Sequence, residues 1–436
     1  MKSLSQVPNL VYADAQGNIF DAPGLWMSGR SGNDFIAMTS DDFIELPDGS
    51  DLYTLEGRHP IGFDKETNEP TVYKAGFAVG AQMAPAHTMF YLSAFEKNQD
   101  APTLPLFAYT ALGWYDGKFY VPAVRIDADK RQEPRDFDRQ LIERNVHSMI
   151  KQFPNNRLLK HIGETCALTY TCPAARNHFM HRFEAPIPTS PACNSNCIGC
   201  ISFQPVTENI VSTQERLTFK PTVSEITEYT IPHLQNADNA IVSFGQGCEG
   251  EPLLMWETIR DSIFEIRKHT SRGSINMNTN GSMPKAVDEL CKAGLNSIRV
   301  SLNSVRENIY NAYYLPNNYK FDALKESIRV IRSYGGWASL NYFVFPGVTD
   351  EVEEYEALRK FISETDLNMI QWRNFNIDPD WYLEKIKYTP SEKTITINRM
   401  MKLLKEEFPN LQYGYFNAPI EIINKSLQKQ LPIIST

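Results

Sequence analysis

Two kinds of hydrophobic pattern divide this chain. In the first 130 residues, short hydrophobic runs at 10–12, 34–38 and 118–121 are separated by turn residues such as those at 47–49 and 116–117. Runs of this length bounded by Gly, Asp and Pro predict a β-rich region. Hydrophobic residues at helical spacing then predict a helix over residues 136–152, which ends before Pro154.

The pattern changes at about residue 187. Short β-branched runs at 240–244, 274–278, 297–301, 339–344 and 369–372 alternate with amphipathic stretches of helical period. A first strand just before Cys193 completes six βα units. Such alternation predicts a parallel sheet with helices outside, curled into a partial (βα)6 TIM-like barrel. The fold class is therefore α/β, with a β-rich N-terminal domain and a short C-terminal helical extension.

These patterns suggest four parts. A β-rich accessory domain of unknown role covers residues 1–155, and a proline-containing connector covers 156–186. The barrel covers 187–380, and the C-terminal extension covers 381–436. In parallel α/β folds the loops after the strands carry the chemistry.

Composition narrows the classes of function. The 436 residues carry a net charge of −9, which provides no general attraction to nucleic acid or to an anionic membrane. The sequence shows no signal-peptide pattern and no apolar run of membrane-spanning length, so we expect a cytoplasmic protein. Seven cysteines in such a chain do not indicate a disulfide framework.

Three cysteines fall within eight residues: Cys193, Cys197 and Cys200. The intervening residues are small or tolerant of turns, as a tight wrap around a metal centre requires. Three thiolates from one short loop can bind three irons of a [4Fe–4S] cluster and leave the fourth iron open. The alternative is a zinc site, but zinc motifs usually have a second CxxC pair, and the sequence contains none.

This CxxxCxxC motif resembles the signature of the radical S-adenosylmethionine (SAM) superfamily, and the resemblance extends over roughly residues 185–380. It implies that SAM chelates the open iron and is split reductively into methionine and a 5′-deoxyadenosyl radical. It also implies a reducing partner such as flavodoxin or ferredoxin. Ile198 stands where the family often has an aromatic residue, and its backbone and side chain are candidates to flank the adenine.

A glycine-rich loop after the second strand is similar to the GGEP-type loop of that family. Gly250, Glu251 and Pro252 match the positions that recognise the SAM amino group. Glycine lets backbone approach a ligand, and a carboxylate pairs with an ammonium group.

The later strands also end in polar residues that resemble SAM contacts. Ser301 and Asn303 match positions that bind the ribose hydroxyls and the carboxylate, although Asn303 or Ser304 could instead cap the following helix. Val344 is a candidate adenine contact. Arg373 is placed to meet a carboxylate of SAM or of the substrate, with a solvated surface arginine as the alternative.

The remaining cysteines leave two questions open. Cys248, inside the glycine-rich loop, is a candidate catalytic thiol that relays a hydrogen atom, or else an ordinary buried cysteine. Cys166 and Cys172 could join His178, His181 or Cys248 in a second metal site, or pack as apolar side chains. Cys291, at helical spacing, is expected in the core.

The sequence does not identify the substrate. It lacks both a cysteine-rich C-terminal extension and a DxHxxG cobalamin motif. The expected reaction is hydrogen abstraction from an organic substrate, either a small metabolite or a peptide or protein side chain. The competing class is a non-catalytic iron–sulfur or zinc-binding protein, which would not need the loop around Glu251.

Overall fold

The computed structural model describes residues 4–430 apart from residues 41 and 209, and its N-terminal part is an antiparallel β-domain. The longest strand, β2, pairs with four others, β1, β3, β6 and β10. The strands are β1 Asn9–Ala13, β2 Ile19–Ser31, β3 Asp34–Ala37, β4 Phe43–Glu45, β5 Asp51–Leu55, β6 Arg58–Asp64, β7 Pro70–Val72, β8 Phe77–Gln82, β9 His87–Met89, β10 Leu92–Ser93, β11 Phe95–Lys97, β12 Gly113–Tyr115 and β13 Lys118–Arg125. The predicted β-rich region is confirmed.

The segment between the β-domain and the barrel is mostly helical. It contains α1 Arg139–Gln152, α2 Arg157–Lys160, a π-helix His161–Thr169 and α3 Pro173–Phe179. The helix predicted over 136–152 is confirmed from residue 139, where the Asp138 side chain caps it by accepting from Leu141 N at 2.9 Å. The part expected to be a plain connector therefore contains helices, because its apolar residues pack into the core.

A parallel sheet forms the second half of the chain, and its strands lie side by side in sequence order. They are β14 Arg182–Ile187, β15 Asp238–Phe244, β16 Ser274–Thr279, β17 Ser297–Leu302, β18 Trp337–Val344, β19 Met369–Asn374 and β20 Gln412–Gly414. The helices are α4 Val223–Asn236, α5 Trp256–His269, α6 Pro284–Ala293, α7 Glu307–Tyr314, α8 Asp322–Ser333, α9 Val352–Thr365, α10 Pro379–Ile386, α11 Ile397–Glu407 and α12 Ile420–Gln430. The result is an α/β fold with a curled, half-barrel sheet.

Two features of this sheet differ from the expectation. The first strand ends at Ile187, so a longer loop than expected leads to Cys193. The C-terminal extension is not only helical, because it adds β20 as a seventh strand beside β19. Its three residues, Gln-Tyr-Gly, are too few to give a periodic pattern.

The β-domain packs on the barrel through buried polar contacts. Arg58 and Asp378 form an ion pair at 2.7 Å, and neither side chain is exposed to solvent. The same Asp378 carboxylate accepts from Leu104 N at 2.8 Å and caps α10 through its other oxygen. Asn374, at the end of β19, accepts from Met89 N at 2.9 Å. The two halves of the chain therefore share one buried interface.

Glycines bring the two halves into backbone contact at one point. Gly32 N donates to Pro346 O at 2.8 Å, and a Cβ on Gly347 would lie 1.9 Å from Gly32 N. Gly347 also has a φ of 93°, which only glycine adopts readily. Among the described residues, no helix has both the length and the apolar character needed to cross a membrane.

Candidate functional site

The three signature cysteines lie on the loop that follows β14. Backbone hydrogen bonds hold this loop against the end of α7: Asn196 N donates to Tyr314 O, and Ile198 N donates to Tyr313 O, each at 3.1 Å. The thiols of Cys193, Cys197 and Cys200 are free. All three residues line one cavity. The loop therefore presents its thiols on one side of the barrel.

The glycine-rich loop after β15 contacts the start of the cysteine loop directly. Gly250 N donates to Ser190 O at 2.7 Å, and Glu251 N donates to Ala192 O at 2.9 Å. A Cβ on Gly250 would lie 1.9 Å from Ala192 O, so only glycine fits here. The two motifs, separated by about fifty residues, thus form a single backbone unit beside Cys193.

Two buried glutamates hold these loops. Glu249 accepts from Thr189 N at 2.7 Å, from Ser190 N at 2.8 Å and from Gln246 N at 2.7 Å. Burial raises the pKa of Glu249 to about 7 despite these bonds. Sequence reasoning missed this residue, although a Glu two positions before Glu251 in a glycine-rich loop was a signal that could have identified it.

Glu251 itself lines the cavity and is almost fully buried. Its carboxylate accepts hydrogen bonds from Thr279 Oγ1, from Asn280 N at 2.8 Å and from Leu253 N at 3.1 Å. Burial raises the pKa of Glu251 to about 7. A cation in the cavity would stabilise the charged form of this carboxylate.

The cavity opens at the carboxyl ends of the strands and has a volume of about 410 Å³, within the range of small-molecule sites. The predicted site residues that line it are Cys193, Cys197, Cys200, Gly250, Glu251, Pro252, Ser301 and Arg373. Residues of the β-domain, Gln82, Met83, Ala84 and His87, also line it. No sequence motif marked these four residues, because only the packing of the β-domain on the barrel brings them there.

Two arginines give the interior of the barrel a positive charge. Arg299 and Arg373 each donate to Gln371 Oε1 at 3.0 Å, and each has a buried Nε without a hydrogen-bond partner among the described residues. Burial, and then Arg373, lowers the pKa of Arg299 to about 9, which leaves it charged at neutral pH. Arg299 was missed, although it lies two residues before Ser301 and therefore on the same face of β17.

Another arginine contacts the signature loop. Arg216 donates to Cys200 Sγ at 3.4 Å and to Ser202 Oγ at 3.2 Å. It comes from the long segment between the cysteine loop and α4, where the sequence has no periodic pattern. Its guanidinium places a positive charge beside one of the three thiols.

Four predicted site residues are not among those that line the cavity: Ile198, Cys248, Asn303 and Val344. Val344 is fully buried, while Asn341 and Phe343 of the same strand line the cavity, as alternation along a strand requires. Asn303 donates to the Tyr382 hydroxyl at 3.1 Å. Neither Asn303 nor Ser304 caps α7, whose N-cap is Arg306. Cys291 is buried in α6 as expected.

Cys166 and Cys172, the two cysteines that precede the signature, lie in different environments. Cys166 lies on the π-helix with its Sγ 3.8 Å from Cys248 Sγ, and both residues are buried. Cys172 precedes α3 and packs at the edge of the hydrophobic core. His178 faces His233 instead, with 3.3 Å between their Nδ1 atoms. Of the two upstream cysteines, Cys166 therefore lies against Cys248.

Residues 187–361 match the model of the Radical SAM superfamily. No curated protein matches the chain. Among solved structures, methylornithine synthase (PylB) has a TM-score of 0.38 at 15% identity over 65% of this chain and 77% of its own. The Streptococcus suis SuiB bound to precursor peptide SuiA has a TM-score of 0.38 at 15% identity over 56% of this chain and 53% of its own. A radical SAM methyltransferase from Sphaerobacter thermophilus has a TM-score of 0.38 at 15% identity over 56% of this chain and 69% of its own.

Proposed function

The chain belongs to the radical SAM superfamily of enzymes through residues 187–361, and we propose that it cleaves SAM reductively to abstract hydrogen from an organic substrate. Cys193, Cys197 and Cys200 would hold the [4Fe–4S] cluster, which with bound SAM would supply one-electron reductive cleavage of SAM, the electron coming from a flavodoxin- or ferredoxin-type donor. The products would be methionine and 5′-deoxyadenosine, whose added hydrogen atom would come from a substrate C–H bond and leave a substrate radical. The observation that carries the proposal is the direct contact between the cysteine loop and the glycine-rich loop at one cavity.

The donor set fits a cluster better than a single zinc ion. Among the described residues, the His/Cys group whose ligand atoms converge within 4.8 Å does not include Cys193, Cys197 or Cys200. Thiolates on one zinc ion have to lie close together, whereas thiolates on different irons of a cubane lie farther apart. Burial, and then the Glu251 carboxylate, raises the pKa of Cys193 to about 11. The metal therefore has to displace a proton, as metal binding to a thiol does.

The cavity walls carry charges that suit SAM. We assign Glu251, with the backbone at Gly250 and Pro252, to the SAM ammonium group, and Ser301 to a ribose hydroxyl or the carboxylate. Arg373 is assigned to a carboxylate, because its guanidinium lines the cavity and retains a buried Nε without a partner among the described residues. Opposite charges at opposite ends of a site fix the direction in which an amino acid moiety binds.

Three residues that the sequence assigned to SAM do not line the cavity, so each would act in a different way from the one expected. Ile198 would act through its backbone, which is part of the cysteine loop between Cys197 and Cys200. Val344 would contact adenine only through its main chain at the end of β18, since Phe343 provides the neighbouring side chain in the cavity. Asn303 would act only by positioning its neighbours, because its amide donates to the buried Tyr382 hydroxyl and neither residue lines the cavity.

The β-domain is proposed as an accessory domain that shapes the substrate side of the cavity. Gln82, Met83, Ala84 and His87 supply a mixed polar and apolar wall there. A small metabolite and a peptide or protein side chain both remain compatible with this wall, and the genomic neighbours would narrow the choice.

The test uses anaerobically reconstituted protein. After reduction with dithionite, it should convert SAM to equal amounts of 5′-deoxyadenosine and methionine, and it should contain about four irons per chain. The triple variant Cys193→Ala, Cys197→Ala, Cys200→Ala should release neither product. Cys291→Ala, a buried cysteine on α6, is the matched control and should retain both iron and cleavage.

Two results would contradict the proposal. A colourless protein that takes up no iron, and whose zinc is lost in the triple variant, would support the zinc-binding alternative. A stable cluster that neither binds nor cleaves SAM would support a non-catalytic iron–sulfur protein. Both are decided by metal analysis together with chromatography of the SAM reaction.

A further inference from the structure

Three side chains of types that bind metals lie together outside the cavity. They are those of His161 and Cys166 of the π-helix and of Cys248 of the glycine-rich loop, and their ligand atoms all lie within 4.8 Å of one another. Cys166 and Cys248 are each only 4% exposed. This His-Cys-Cys group is separate from Cys193, Cys197 and Cys200, which line the cavity.

The distance between the two sulfurs matches that of two ligands on one ion. Cys166 Sγ and Cys248 Sγ are 3.8 Å apart. Two thiolates on one tetrahedral ion, with metal–sulfur bonds of about 2.3 Å, lie about 3.8 Å apart. A disulfide requires about 2.05 Å, so the observed pair is not bonded. Thiolates on separate irons of a cubane lie farther apart than this. The geometry therefore fits one mononuclear ion.

The π-helix explains why these ligands face the same point. Its backbone bonds join residues five apart, so His161 and Cys166, which are five apart in sequence, lie on one face. In an α-helix, two residues at this spacing are well over a full turn apart, so their side chains point in different directions. π-Helical turns are rare and frequently occur at functional sites. The local backbone thus aligns two ligands that sequence spacing alone would not suggest.

The histidine ring has an unused polar atom. His161 Nε2 is buried and has no hydrogen-bond partner among the described residues. Buried polar atoms normally have a partner, and an imidazole nitrogen is a common ligand of zinc. An ion at this position would be coordinated by the imidazole nitrogen and by both sulfurs.

From these observations we propose that His161, Cys166 and Cys248 bind one zinc-class divalent ion, with a solvent molecule in the fourth position. Two thiols and one imidazole form a donor set suited to zinc, and binding releases two thiol protons, which leaves the Cys2His centre neutral. The ion would fasten the glycine-rich loop to the π-helix, two residues before Gly250. Cys248 would then serve as a metal ligand and not as a relay of hydrogen atoms.

The experiment measures this ion where no iron–sulfur cluster can form. The triple variant Cys193→Ala, Cys197→Ala, Cys200→Ala is equilibrated with Zn²⁺, passed through a desalting column and analysed for metal. We expect about one zinc per chain. Adding Cys166→Ser or Cys248→Ser should reduce the zinc at least tenfold, and His161→Gln should weaken retention. Adding Cys291→Ser, a buried cysteine outside the group, should leave it unchanged.

Cobalt gives a readout that does not depend on further substitutions. Co²⁺ added to the triple variant should produce the thiolate charge-transfer absorption of two sulfur ligands in a tetrahedral site. If the serine variants unfold, this spectrum alone decides the question. Absence of the absorption and of retained zinc would overturn the proposal. So would a Cys166–Cys248 disulfide, or iron bound together with sulfide, in the triple variant as isolated, before zinc or cobalt is added.

Because neither SAM nor iron is present in these measurements, the result does not depend on the proposed SAM cleavage. A protein that cleaves SAM but binds no zinc in the triple variant refutes only the second site. A protein that binds zinc there but never cleaves SAM refutes only the proposed function.

Discussion

Arg299 and Arg373 donate hydrogen bonds to the same oxygen, Gln371 Oε1, from two different levels of the barrel. In the strand register, Ser301, Asn341 and Gln371 form one level. Arg373 pairs with Phe343 one level above, and Arg299 pairs with Ser339 one level below. One amide oxygen therefore holds two cations in line along the barrel interior, with Arg373 nearer the cavity mouth.

We expect Arg373→Met to reduce the affinity for SAM about tenfold or more, because a charge-assisted hydrogen bond contributes about 1.5–3 kcal/mol. Decarboxylated SAM should bind the variant and the unaltered protein equally well. Equilibrium dialysis with both ligands at matched iron content measures this difference.

Arg329→Met on the exposed side of α8 is the control and should change neither affinity. If Arg299→Met, and not Arg373→Met, removes the discrimination between the two ligands, then the carboxylate lies one level lower than proposed.

Glu251→Gln should weaken SAM binding by a similar factor while iron content stays the same. The substitution preserves the shape of the side chain but removes the charge that we assign to the SAM ammonium group. Titration calorimetry and iron analysis on the same preparation separate the two effects.

Glu257→Gln, in the first turn of α5, removes a charge of the same sign and is the control. Unchanged SAM affinity in Glu251→Gln would show that the carboxylate serves only the hydrogen bonds from Thr279, Asn280 and Leu253.

Gly250→Ala should impair both motifs at once. The added Cβ would lie 1.9 Å from Ala192 O, so the backbone leading to Cys193 has to move. Overpacking of this kind costs about 1–3 kcal/mol or more. We expect a lower unfolding midpoint together with reduced iron retention after reconstitution.

Gly24→Ala is the matched control, because a Cβ at Gly24 meets nothing within 4 Å and its φ is not positive. A Gly250→Ala protein with full iron content and normal SAM affinity would show that the contact between the two loops is not needed.

Glu225 makes the stability depend on acid pH. Its carboxylate accepts from Arg157 Nε at 2.7 Å, and chiefly this arginine lowers the pKa of Glu225 to about 2 from 4.5. A lowered pKa in the folded state means that the stabilisation is fully present above about pH 4.5 and is lost as the pH falls towards about 2.

Glu225→Gln should therefore lower the free energy of unfolding at neutral pH by about 1 kcal/mol, since half-exposed ion pairs contribute little more. The difference from the unaltered protein should shrink below about pH 4.5. Unfolding midpoints across this range test it, with the exposed Glu164→Gln as control. A difference that is constant with pH would assign the effect to packing.

The sequence predicted the main strands of the barrel more accurately than the helices before the barrel and the last strand of its sheet. The runs at 240–244, 274–278, 297–301, 339–344 and 369–372 all fall within observed strands, because buried parallel strands are short and β-branched. The helices at 157–179 and strand β20 were not predicted. The π-helix depends on bonds five residues apart, and β20 depends on an edge that only the folded barrel provides.

The candidate site shows the same division. Local motifs predicted Cys193, Gly250 and Glu251, which line the cavity, because each belongs to a short run of neighbouring motif residues. Arg299 and His87 also line the cavity, but no motif marks either of them. Arg299 lies within a strand of ordinary composition, and His87 belongs to the β-domain, which is distant in sequence. The family resemblance at two strand ends predicts contacts from Asn303 and Val344, but the alternation of side chains along β18 leaves the Val344 side chain out of the cavity wall.

The buried pair of Arg58 and Asp378 ties the β-domain to the barrel. A hinge motion that lifts the β-domain would break this ion pair together with the hydrogen bond from Leu104 N to the same carboxylate. It would also break the bonds that join Asn374 to Met89 N and Gly32 N to Pro346 O, so such an opening has to disrupt several contacts at once. We therefore expect ligands to enter and leave through a fixed aperture, which selects them by size and charge at the threshold.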